Sequence, residues 1–553
     1  MKRSLSVRSS VPLSVSLAAP RSVLLSAASG ALLLLGSCTT LPSSADRAVA
    51  AIDTLVVIYA ENRAFDTLYG LYPGANGVPG VNPSAVGAAV PQKDFDGSVL
   101  PVLPPIWGGA TANGQAVTLS QAQTAGLPNR PFRIDDPAGL NGTGVVLGPA
   151  VATRDLVHRY YNNMMQISGG SNDRFAAYSD AGALSMGYYD GSRMKLWSVA
   201  RQYTLADNFF MGAFGGSFLN HQYLVCACAP VYPDVAASPA RNAVSAILTD
   251  PQGRFLGLTP AAGAPVSVLA GPPRYLQDGA LTPIDAAGAS YAVNTVQPFY
   301  QPSANAPAAG ADPRFSDPSK ASTLPAQGGV TIGDRLDARN VPWAWYAGAW
   351  NLANQPTAEG RSVIYANPAQ FQPHHQPFNY YRRFDPASGA AARRLHLKDF
   401  DADFLADASG GKLPPVTFYK PQGNLNQHAG YANVADGDAH IAEVVAKLQQ
   451  SPQWPHMLIV ITYDENGGFY DHAPVPRGDR WGPGNRIPAV FISPYVRTGY
   501  VDKTQYDTGS ILRFITRRWS LEPLPGIVER DAALRANGMT PMGDLSEALV
   551  ARP

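Results

Sequence analysis

The chain has 553 residues, of which 45% are hydrophobic, 10% aromatic and 15% charged, and its formal net charge at pH 7 is +1. This length and hydrophobic content predict a well-packed globular protein with one large core or two to three domains, and they exclude a disordered chain. The near-zero net charge, without a long basic run, excludes nucleic-acid binding, so we expect no nucleic-acid partner.

The amino-terminal residues are typical of an export signal. Lys2 and Arg3 carry positive charge, and the apolar segment 22–36 that follows is too short to be a membrane span. It runs into a Leu-Gly-Ser-Cys sequence ending at Cys38, which resembles the lipobox of bacterial lipoproteins, where the cysteine is lipidated. We therefore expect 1–38 to be a lipoprotein-type signal peptide and the protein to be exported to the periplasm or outer membrane, with possible membrane attachment through Cys38. An ordinary signal peptide with secretion is the alternative.

The other two cysteines, Cys226 and Cys228, lie two residues apart in a predicted buried helix. Side chains with this spacing do not face each other on a helix, so we expect no disulfide between them. Small buried hydrophobic side chains are the better interpretation of both.

Composition changes along the chain predict an α/β domain interrupted by an insertion. The Gly/Pro/Asn-rich stretch 72–150 predicts a long loop, and apolar spacing from Thr153 predicts a helix that carries His158. The predicted order is a linker at 39–51, the first half of the α/β domain at 52–229, an Ala/Pro/Gly-rich insertion or cap at 230–330, the second half at 331–525 and a C-terminal tail at 526–553.

The second half of the domain alternates predicted strands and helices. A helix over 438–449 leads directly into a buried-type strand at 457–463, which is typical of the step from a helix to a parallel strand. The pattern predicts an α/β fold with a mostly parallel central sheet flanked by helices. The other predicted elements are strands at 341–346, 416–420 and 489–492 and a helix around 511–519.

Two apolar strands, far apart in the chain, end on oxygen ligands. The strand 55–60 runs into Glu61 and Asn62, and the strand 457–463 runs into Asp464 and Glu465. Because ligands bind outside the carboxyl ends of parallel strands, the two pairs could form one site. Three carboxylates and an amide suit one divalent cation, which could be calcium, magnesium, manganese or iron. The alternative is that these residues solvate loops or cap helices.

A glycine-bearing turn at 212–216 leads through Ser217 into an apolar helical run. A serine at a helix N-terminus lies where backbone N–H groups favour an anion such as phosphate. A metal held by the carboxylates would lower the pKa of the hydroxyl and activate Ser217 as a nucleophile. Alternatively, Ser217 simply caps the helix.

Several of the nine histidines lie in polar, motif-like settings. A cluster of protonated imidazoles would bind a phosphoryl dianion and protonate a leaving alkoxide, and it would be more fully charged below about pH 6, which predicts an acidic optimum. The candidates are His158, His374, His375 and His428, whereas His396, His440 and His456 are better explained as structural or surface residues.

Three motifs closely resemble a known phosphoesterase family that contains bacterial phospholipases C and respiratory-burst-inhibiting acid phosphatases. They are Glu61–Asp66, Gly216–His221 and Thr462–His472, and the last is the most specific. The resemblance spans about Ile52 to Trp519 and implies an alkaline-phosphatase-like α/β fold with long loop insertions. The chain departs from the family at Asn466, where many members have His, and at 507–510, where Asp-Thr-Gly-Ser replaces Asp-His-Thr-Ser.

The resemblance implies roles for individual residues. The implied metal ligands are Glu61, Asn62, Ser217, Asp464 and Glu465. Ser217 would be the nucleophile that forms a phosphoserine, and the phosphoryl group would be bound by Asn62, Ser217, His158, His374, His375 and His428.

The Gly-Ser-Phe-Leu-Asn-His sequence beginning at Gly216 is similar to the acid phosphatase branch of that family, because phospholipases C commonly have Thr before a Pro-Asn there. We therefore expect an acid phosphatase acting on small phosphomonoesters. A phospholipase C acting on phosphodiesters such as phosphatidylcholine is one alternative, and a non-enzymatic, metal-stabilised surface lipoprotein is another.

Overall fold

The computed structural model describes residues 43–355 and 357–551. The predicted signal peptide and Cys38 lie outside these residues. The strands, in chain order, are β1 Thr54–Ala60, β2 Phe132–Arg133, β3 Gly187–Tyr188, β4 Thr204–Phe210, β5 Val231–Tyr232, β6 Ile247–Thr249, β7 Phe255–Leu258, β8 Ser290–Tyr291, β9 Gln297–Pro298, β10 Thr323–Leu324, β11 Trp343–Ala347, β12 Leu397–Asp399, β13 Val416–Lys420, β14 Met457–Tyr463, β15 Ala489–Ile492 and β16 Tyr500–Asp507.

The α-helices are short, and 3-10 turns lie between several of them. In chain order they are α1 Ser44–Ala50, α2 Phe65–Tyr69, α3 Tyr160–Ile167, α4 Lys195–Gln202, α5 Ser217–Cys226, α6 Ile332–Asp337, α7 Trp350–Ala353, α8 Ala358–Ser362, α9 Ala390–His396, α10 Leu405–Ser409, α11 Val434–Gln449, α12 Thr508–Arg518 and α13 Pro525–Ala536. Within the described ranges, no helix combines the length and the apolar character that crossing a membrane requires.

The core is an eight-stranded sheet with the order β12-β11-β13-β1-β14-β15-β4-β16. Neighbouring strands are parallel except that β15 runs antiparallel to β14 and to β4. Every residue of β1 and β14 is buried, as expected for strands covered on both faces. The predicted α/β class with a mostly parallel sheet flanked by helices is confirmed.

The register between β1 and β14 brings their carboxyl ends together. Ala60 pairs with Tyr463, so the residues that follow, Glu61 and Asp464, leave the sheet side by side. Strand β13 pairs with β1 on its other side, where Ile58 lies opposite Tyr419, so Lys420 reaches the same edge. This edge is where the polar motifs meet.

Helices pack against the sheet and against one another through apolar side chains. In α11 the buried side chains include Ile441, Val444, Val445 and Leu448. Burying such side chains contributes about 1.5–3 kcal/mol each. Helix α11 packs against α4, and α5 packs against α12. The rigid frame that results holds the loops at the sheet edge.

Several boundaries differ from the expectations. Residues 44–50, within the predicted linker, form α1. A capping box between Ser43 and Asp46 caps the N-terminus of this helix. The predicted helix over His158 begins only at Tyr160, so His158 lies in the extended segment before it. In the predicted tail, α13 buries Arg530 and Leu534. The insertion at 230–330 contains short strands and 3-10 turns.

The expectation for the cysteines was wrong, because Cys226 and Cys228 form a disulfide. Helix α5 ends at Cys226, and Ala227 adopts a left-handed conformation with φ of 50°. The chain therefore turns between the two cysteines, and their Cα atoms lie 5.1 Å apart. The helical spacing argument did not apply across this helix end.

Candidate active site

The first pair of oxygen ligands is held by the turn that follows β1. Asn62 has a left-handed backbone with φ of 59°, and its N–H donates to Asp464 Oδ1 at 3.2 Å. The Glu61 N–H donates to the carbonyl of Asn426 at 2.9 Å. These bonds tie the loops after β1, β13 and β14 to one another.

The turn before Ser217 depends on glycine and on one asparagine. Gly215 has φ of +84°, and a Cβ there would lie 2.5 Å from Tyr160 Cα, so a larger residue does not fit. The Asn220 side chain folds back on the turn: its Oδ1 accepts from Ala213 N at 2.8 Å. Its Nδ2 donates to the Gly216 carbonyl at 3.2 Å. Asn220 therefore fixes the entry to α5, whose first residue is Ser217.

The Ser217 hydroxyl lies between the two ligand pairs. Its Oγ donates to Asn62 Oδ1 at 3.2 Å and lies 3.4 Å from Glu465 Oε1. The hydroxyl also lies at the positive end of the α5 dipole, which favours a bound anion. All three motifs thus meet at one oxygen atom.

His158 is the cationic histidine beside Ser217. Its Nε2 lies 3.8 Å from Glu465 Oε1, and its Nδ1 lies 2.5 Å from the Leu156 carbonyl. Burial lowers the pKa of His158, but the carboxylates of Glu465 and Asp155 outweigh burial and raise it to about 9. Its imidazolium therefore persists at neutral pH.

His374 and His428 line a pocket of about 380 Å³ together with Ser217 and His158. His375 lies deeper, where its Nε2 is 2.8 Å from Glu61 Oε1. Burial lowers the pKa of His374, of His375 and of His428. The expectation that these imidazoles become a protonated cluster below about pH 6 therefore lacks support, and His158 supplies the positive charge instead.

Sequence reasoning missed the partners that surround Glu61. Lys420 Nζ lies 2.9 Å from Glu61 Oε1, and both side chains are fully buried. On the other oxygen, Oε2 accepts from Asn426 Nδ2 at 2.6 Å and from the Tyr431 hydroxyl at 2.8 Å. Burial raises the pKa of Glu61, but Lys420 and His375 outweigh it and hold the pKa well below its usual range. Glu61 is therefore an ionised carboxylate.

His221 was noted in a motif but given no role in the predicted site. It is fully buried, and its Nδ1 lies 2.8 Å from the Ser217 carbonyl and 3.6 Å from Asp464 Oδ2. Burial lowers the pKa of His221 well below its usual value. This neutral imidazole packs directly beneath the turn that carries Ser217.

The oxygen ligands fit a divalent cation. Asp464 Oδ2 is buried and has no hydrogen-bond partner among the described residues. Burial raises the pKa of Asp464 to about 7 and raises the pKa of Glu465 well above its usual value. A bound cation would reverse both shifts by compensating the carboxylate charges. Carboxylate, amide and hydroxyl oxygens are the ligands that hard divalent cations prefer.

The histidines expected to be structural or surface residues lie away from the pocket. His396 stacks on Trp343 with ring centroids 4.1 Å apart, and His440 Nε2 lies 2.5 Å from the Tyr419 hydroxyl. His456 Nδ1 lies 3.0 Å from the Ala51 carbonyl.

Asn466 and the segment 507–510, which depart from the family pattern, also make local bonds. Asn466 Nδ2 donates to the Phe469 carbonyl at 2.9 Å. Asp507 accepts from Arg513 at 2.9 Å and from Arg530 at 3.1 Å.

A second buried group of titratable residues lies nearby, which we call the Arg486 cluster: Asp66, Asp471, His472 and Arg486. Arg486 Nη2 lies 3.1 Å from Asp66 Oδ1, and Arg486 Nε lies 3.0 Å from Asp471 Oδ1. His472 Nδ1 lies 2.7 Å from Asp66 Oδ2. The guanidinium thus contacts both carboxylates, although burial still raises the pKa of Asp471 to about 6.

A known protein family matches most of the chain. The model of the Phosphoesterase family matches residues 52–522. Non-specific phospholipase C6 of Arabidopsis thaliana is 33% identical over 158 residues, which cover 23% of this chain and 30% of that protein. Phospholipase C B of Mycobacterium tuberculosis is 28% identical over 176 residues, covering 27% of this chain and 33% of that protein. The alignments thus span about a third of these relatives.

Among solved structures, a protein in the alkaline phosphatase superfamily from Vibrio parahaemolyticus is similar to this chain with a TM-score of 0.22 and 13% identity. That similarity covers 37% of this chain and 51% of the other. A likeness this weak carries no argument about the site.

Proposed function

The chain belongs to the phosphoesterase family, and we propose that it is a hydrolase of phosphoric ester bonds. In this proposal it is a metal-dependent phosphatase whose nucleophile is Ser217 and whose preferred substrates are small phosphomonoesters. The observation that carries the proposal is the position of Ser217 Oγ. It lies at a helix N-terminus, 3.2 Å from Asn62 Oδ1 and 3.4 Å from Glu465 Oε1, and Ser217 lines the pocket. A phosphoryl group in this pocket meets a hydroxyl, a helix dipole and a cationic imidazole at once.

The first step joins Ser217 Oγ to phosphorus and breaks the bond between phosphorus and the alcohol oxygen. The Ser217 proton leaves along the contact to Glu465 Oε1 at 3.4 Å. His158 donates the proton that the leaving alkoxide needs, because its pKa of about 9 keeps Nε2 protonated while Nδ1 lies 2.5 Å from a carbonyl. The product is a phosphoserine and a free alcohol.

In the second step a water oxygen joins phosphorus and the bond between phosphorus and Ser217 Oγ breaks. Glu465 returns the proton to Ser217 Oγ, and inorganic phosphate leaves. His428 Nδ1 lies 2.5 Å from the Ala429 carbonyl, so in the neutral imidazole that nitrogen carries the proton. Its Nε2 is then free to accept a proton from water. Because burial lowers the pKa of His428, the neutral form is favoured. His158 and His428 thus hold opposite protonation states in adjacent rings, whose centroids lie 5.6 Å apart, so the proton that His428 takes can restore the His158 imidazolium.

One divalent metal completes the site. Glu61, Asn62, Asp464, Glu465 and Ser217 would hold it. When bound, it supplies positive charge that lowers the pKa of the Ser217 hydroxyl and offsets the buried carboxylates. The oxygen ligands suit calcium, magnesium, manganese or iron.

The lining of the pocket supports a small polar substrate. Besides the histidines it includes Arg159, Asn294 and Gln372, with Leu156 and Val157 as its larger apolar side chains. A phosphomonoester of a polar alcohol fits such a lining better than an acyl chain does. This agrees with the similarity of the Ser217 motif to the acid phosphatase branch.

Phospholipase C activity is the second candidate. Two observations favour it: the relatives that match are named phospholipases C, and Asp155 lies half-exposed at the pocket, 3.6 Å from His158. A carboxylate at that position could contact the cationic head group of a phosphodiester such as phosphatidylcholine.

The cellular location is also a proposal. The charged start and apolar segment within 1–38 support export to the periplasm or outer membrane, and the sequence ending at Cys38 supports lipid attachment. Mass spectrometry of the mature amino terminus would show a diacylated Cys38 if the lipoprotein interpretation is right and a free, cleaved terminus if it is wrong.

The test compares hydrolysis of p-nitrophenyl phosphate and p-nitrophenyl phosphorylcholine at about pH 5.5 and 7.5, on either side of the ordinary imidazole pKa. We expect monoester hydrolysis that is lost in Ser217→Ala and kept in Ser185→Ala, whose buried hydroxyl donates to Gly182. Dominant diester hydrolysis would favour phospholipase C. Hydrolysis that survives in Ser217→Ala would refute the mechanism, and no hydrolysis by the metal-loaded wild type would favour a structural lipoprotein.

A further inference from the structure

Glu61 belongs to two groups of buried ligand atoms. In the first group Glu61 lies with His221 and Asp464, and in the second it lies with His374 and His375. Within each group, one ligand atom from each residue lies within 4.8 Å of the others. The first group overlaps the proposed metal site, whereas in the second both histidines face Glu61 Oε1, with His375 Nε2 at 2.8 Å and His374 Nε2 at 3.9 Å.

The second group has the donor set of a zinc site. Two imidazoles and one carboxylate form a common zinc ligand set, with a fourth position left open. Both ring nitrogens of His374 are buried without a hydrogen-bond partner in the described part of the chain, as is His375 Nδ1. Because buried polar nitrogens are seldom left without a partner, these imidazoles indicate a ligand position.

Lys420 contacts the same oxygen of Glu61 that a second cation would need. Its Nζ lies 2.9 Å from Glu61 Oε1, the same oxygen that lies 2.8 Å from His375 Nε2. The Lys420 side chain is fully buried, with Tyr59 on one side, where Nζ lies 5.7 Å from the ring centroid. An ammonium and a divalent cation cannot share one carboxylate oxygen in a buried site, because their repulsion is strong in a low-dielectric environment.

We propose that Glu61, His374 and His375 form a latent second metal site, and that the Lys420 ammonium blocks it and limits the protein to one divalent ion. The inference rests on the proposed function only in assigning the first ion to the oxygen ligands around Asp464. The Lys420 ammonium then compensates the negative charge of Glu61 without a second metal.

The charges of the site give a reason for a fixed cation at Lys420. Glu61, Asp464 and Glu465 bring three negative charges, so one divalent ion alone would leave the site negative. With the Lys420 ammonium the formal sum is zero, so a phosphate anion meets no net negative charge. A fixed cation on the chain achieves this at any metal concentration.

The experiment counts zinc ions in the untagged chain after dialysis against excess Zn²⁺ and gel filtration, by elemental analysis. We expect one zinc per chain in the wild type and two in Lys420→Met, which keeps the length of the side chain and removes its charge. Lys412→Met, which changes an exposed lysine just before β13, is the matched control and should bind one. The double variant Lys420→Met/His374→Ala should return to one, because it loses a ligand of the latent site.

Two zinc ions in the wild type, or one in a folded Lys420→Met protein, would overturn the proposal. Should Lys420→Met fail to fold, Lys420→Gln keeps a polar group beside Glu61, and the same count of two is expected. The count is independent of catalysis. An inactive protein with the expected counts would refute the proposed function alone, and an active protein that binds one zinc in every variant would refute this inference alone.

Discussion

Two buried clusters, built from the same two sequence motifs, differ in how their charges are compensated. The oxygen ligands around Ser217 include Glu61 and Asp464, whereas the Arg486 cluster contains Asp66 and Asp471 from the same stretches of chain. In the Arg486 cluster both carboxylates contact the Arg486 guanidinium at 3.0–3.1 Å. Beside Ser217, Asp464 Oδ2 is buried without a hydrogen-bond partner in the described structure. Residue type and burial are alike, and only the partners distinguish them.

A functional cluster and a structural one can be distinguished by the partners of their buried carboxylates. A buried carboxylate that a guanidinium contacts is already compensated, so it needs no ligand. A buried carboxylate oxygen without a partner carries a desolvation cost that a cation would offset. The Arg486 cluster therefore has a structural role: it joins the loops that carry the oxygen ligands around Ser217.

The largest expected effect is the loss of hydrolysis in Ser217→Ala. Ser217→Ala removes the nucleophile, so kcat/KM for p-nitrophenyl phosphate should fall by at least about a thousandfold, or roughly 4 kcal/mol of transition-state stabilisation. Its melting temperature should stay within about 2 °C of the wild type, since a partly satisfied hydroxyl is lost. A fall of less than tenfold would contradict the assigned role.

For Arg486→Met we expect a loss of stability, in contrast to Ser217→Ala. Removing a buried guanidinium leaves Asp66 and Asp471 uncompensated, which should lower the free energy of unfolding by about 3–5 kcal/mol. Urea titration measures this loss. Arg480→Met is the matched control, because Arg480 is 48% exposed and pairs with Asp285 on the surface, and it should lose less than about 1 kcal/mol. Equal losses of unfolding free energy in both variants would contradict the structural role assigned to Arg486.

Metal removal should affect only the cluster around Ser217. Chelation should abolish hydrolysis and lower the free energy of unfolding by about 2.7 kcal/mol, if the ion was present at a hundred times its Kd. The same chelation applied to Asp464→Asn should leave its stability unchanged. A chelator effect of equal size in that variant would place the ion elsewhere.

A smaller effect concerns pH and the Arg486 cluster. Burial lowers the pKa of His472, but the Asp66 carboxylate outweighs burial and raises it above the usual value. The stability that His472 contributes is therefore fully present below its unfolded-state pKa and is lost as the pH rises through the folded-state pKa. The difference in unfolding free energy between wild type and His472→Gln should be larger at about pH 6 than at about pH 9. A difference that grows at the higher pH would contradict the pairing.

Much of the site was predictable because parallel strands end at a common edge. The sequence predicts that the apolar segments before Glu61 and Asp464 are buried strands, and the pairing of these strands in register brings the ligands together. By the same logic Lys420, which ends the predicted strand 416–420, should reach this edge. Lysine is usually exposed, however, so its burial beside Glu61 could not be predicted from its type.

The parts that could not be predicted depend on tertiary structure. The disulfide arises because Ala227 ends α5 in a left-handed conformation, which no local pattern indicates. The neutral state of His374 and His428 follows from complete burial, which reverses the protonation expected from model compounds. Arg486 contacts Asp66 across 420 positions of sequence, so its role becomes visible only in the fold.

One pair of isosteric variants tests the central comparison most directly. Asp464→Asn and Asp471→Asn each remove one buried charge from the same motif, and bound metal and urea unfolding are measured for both. Asp464→Asn should lose the ion and the hydrolysis while its metal-free stability is kept or raised, and Asp471→Asn should keep one ion per chain and lose stability. Loss of the ion from a stable Asp471→Asn protein, together with retention by Asp464→Asn, would contradict the account.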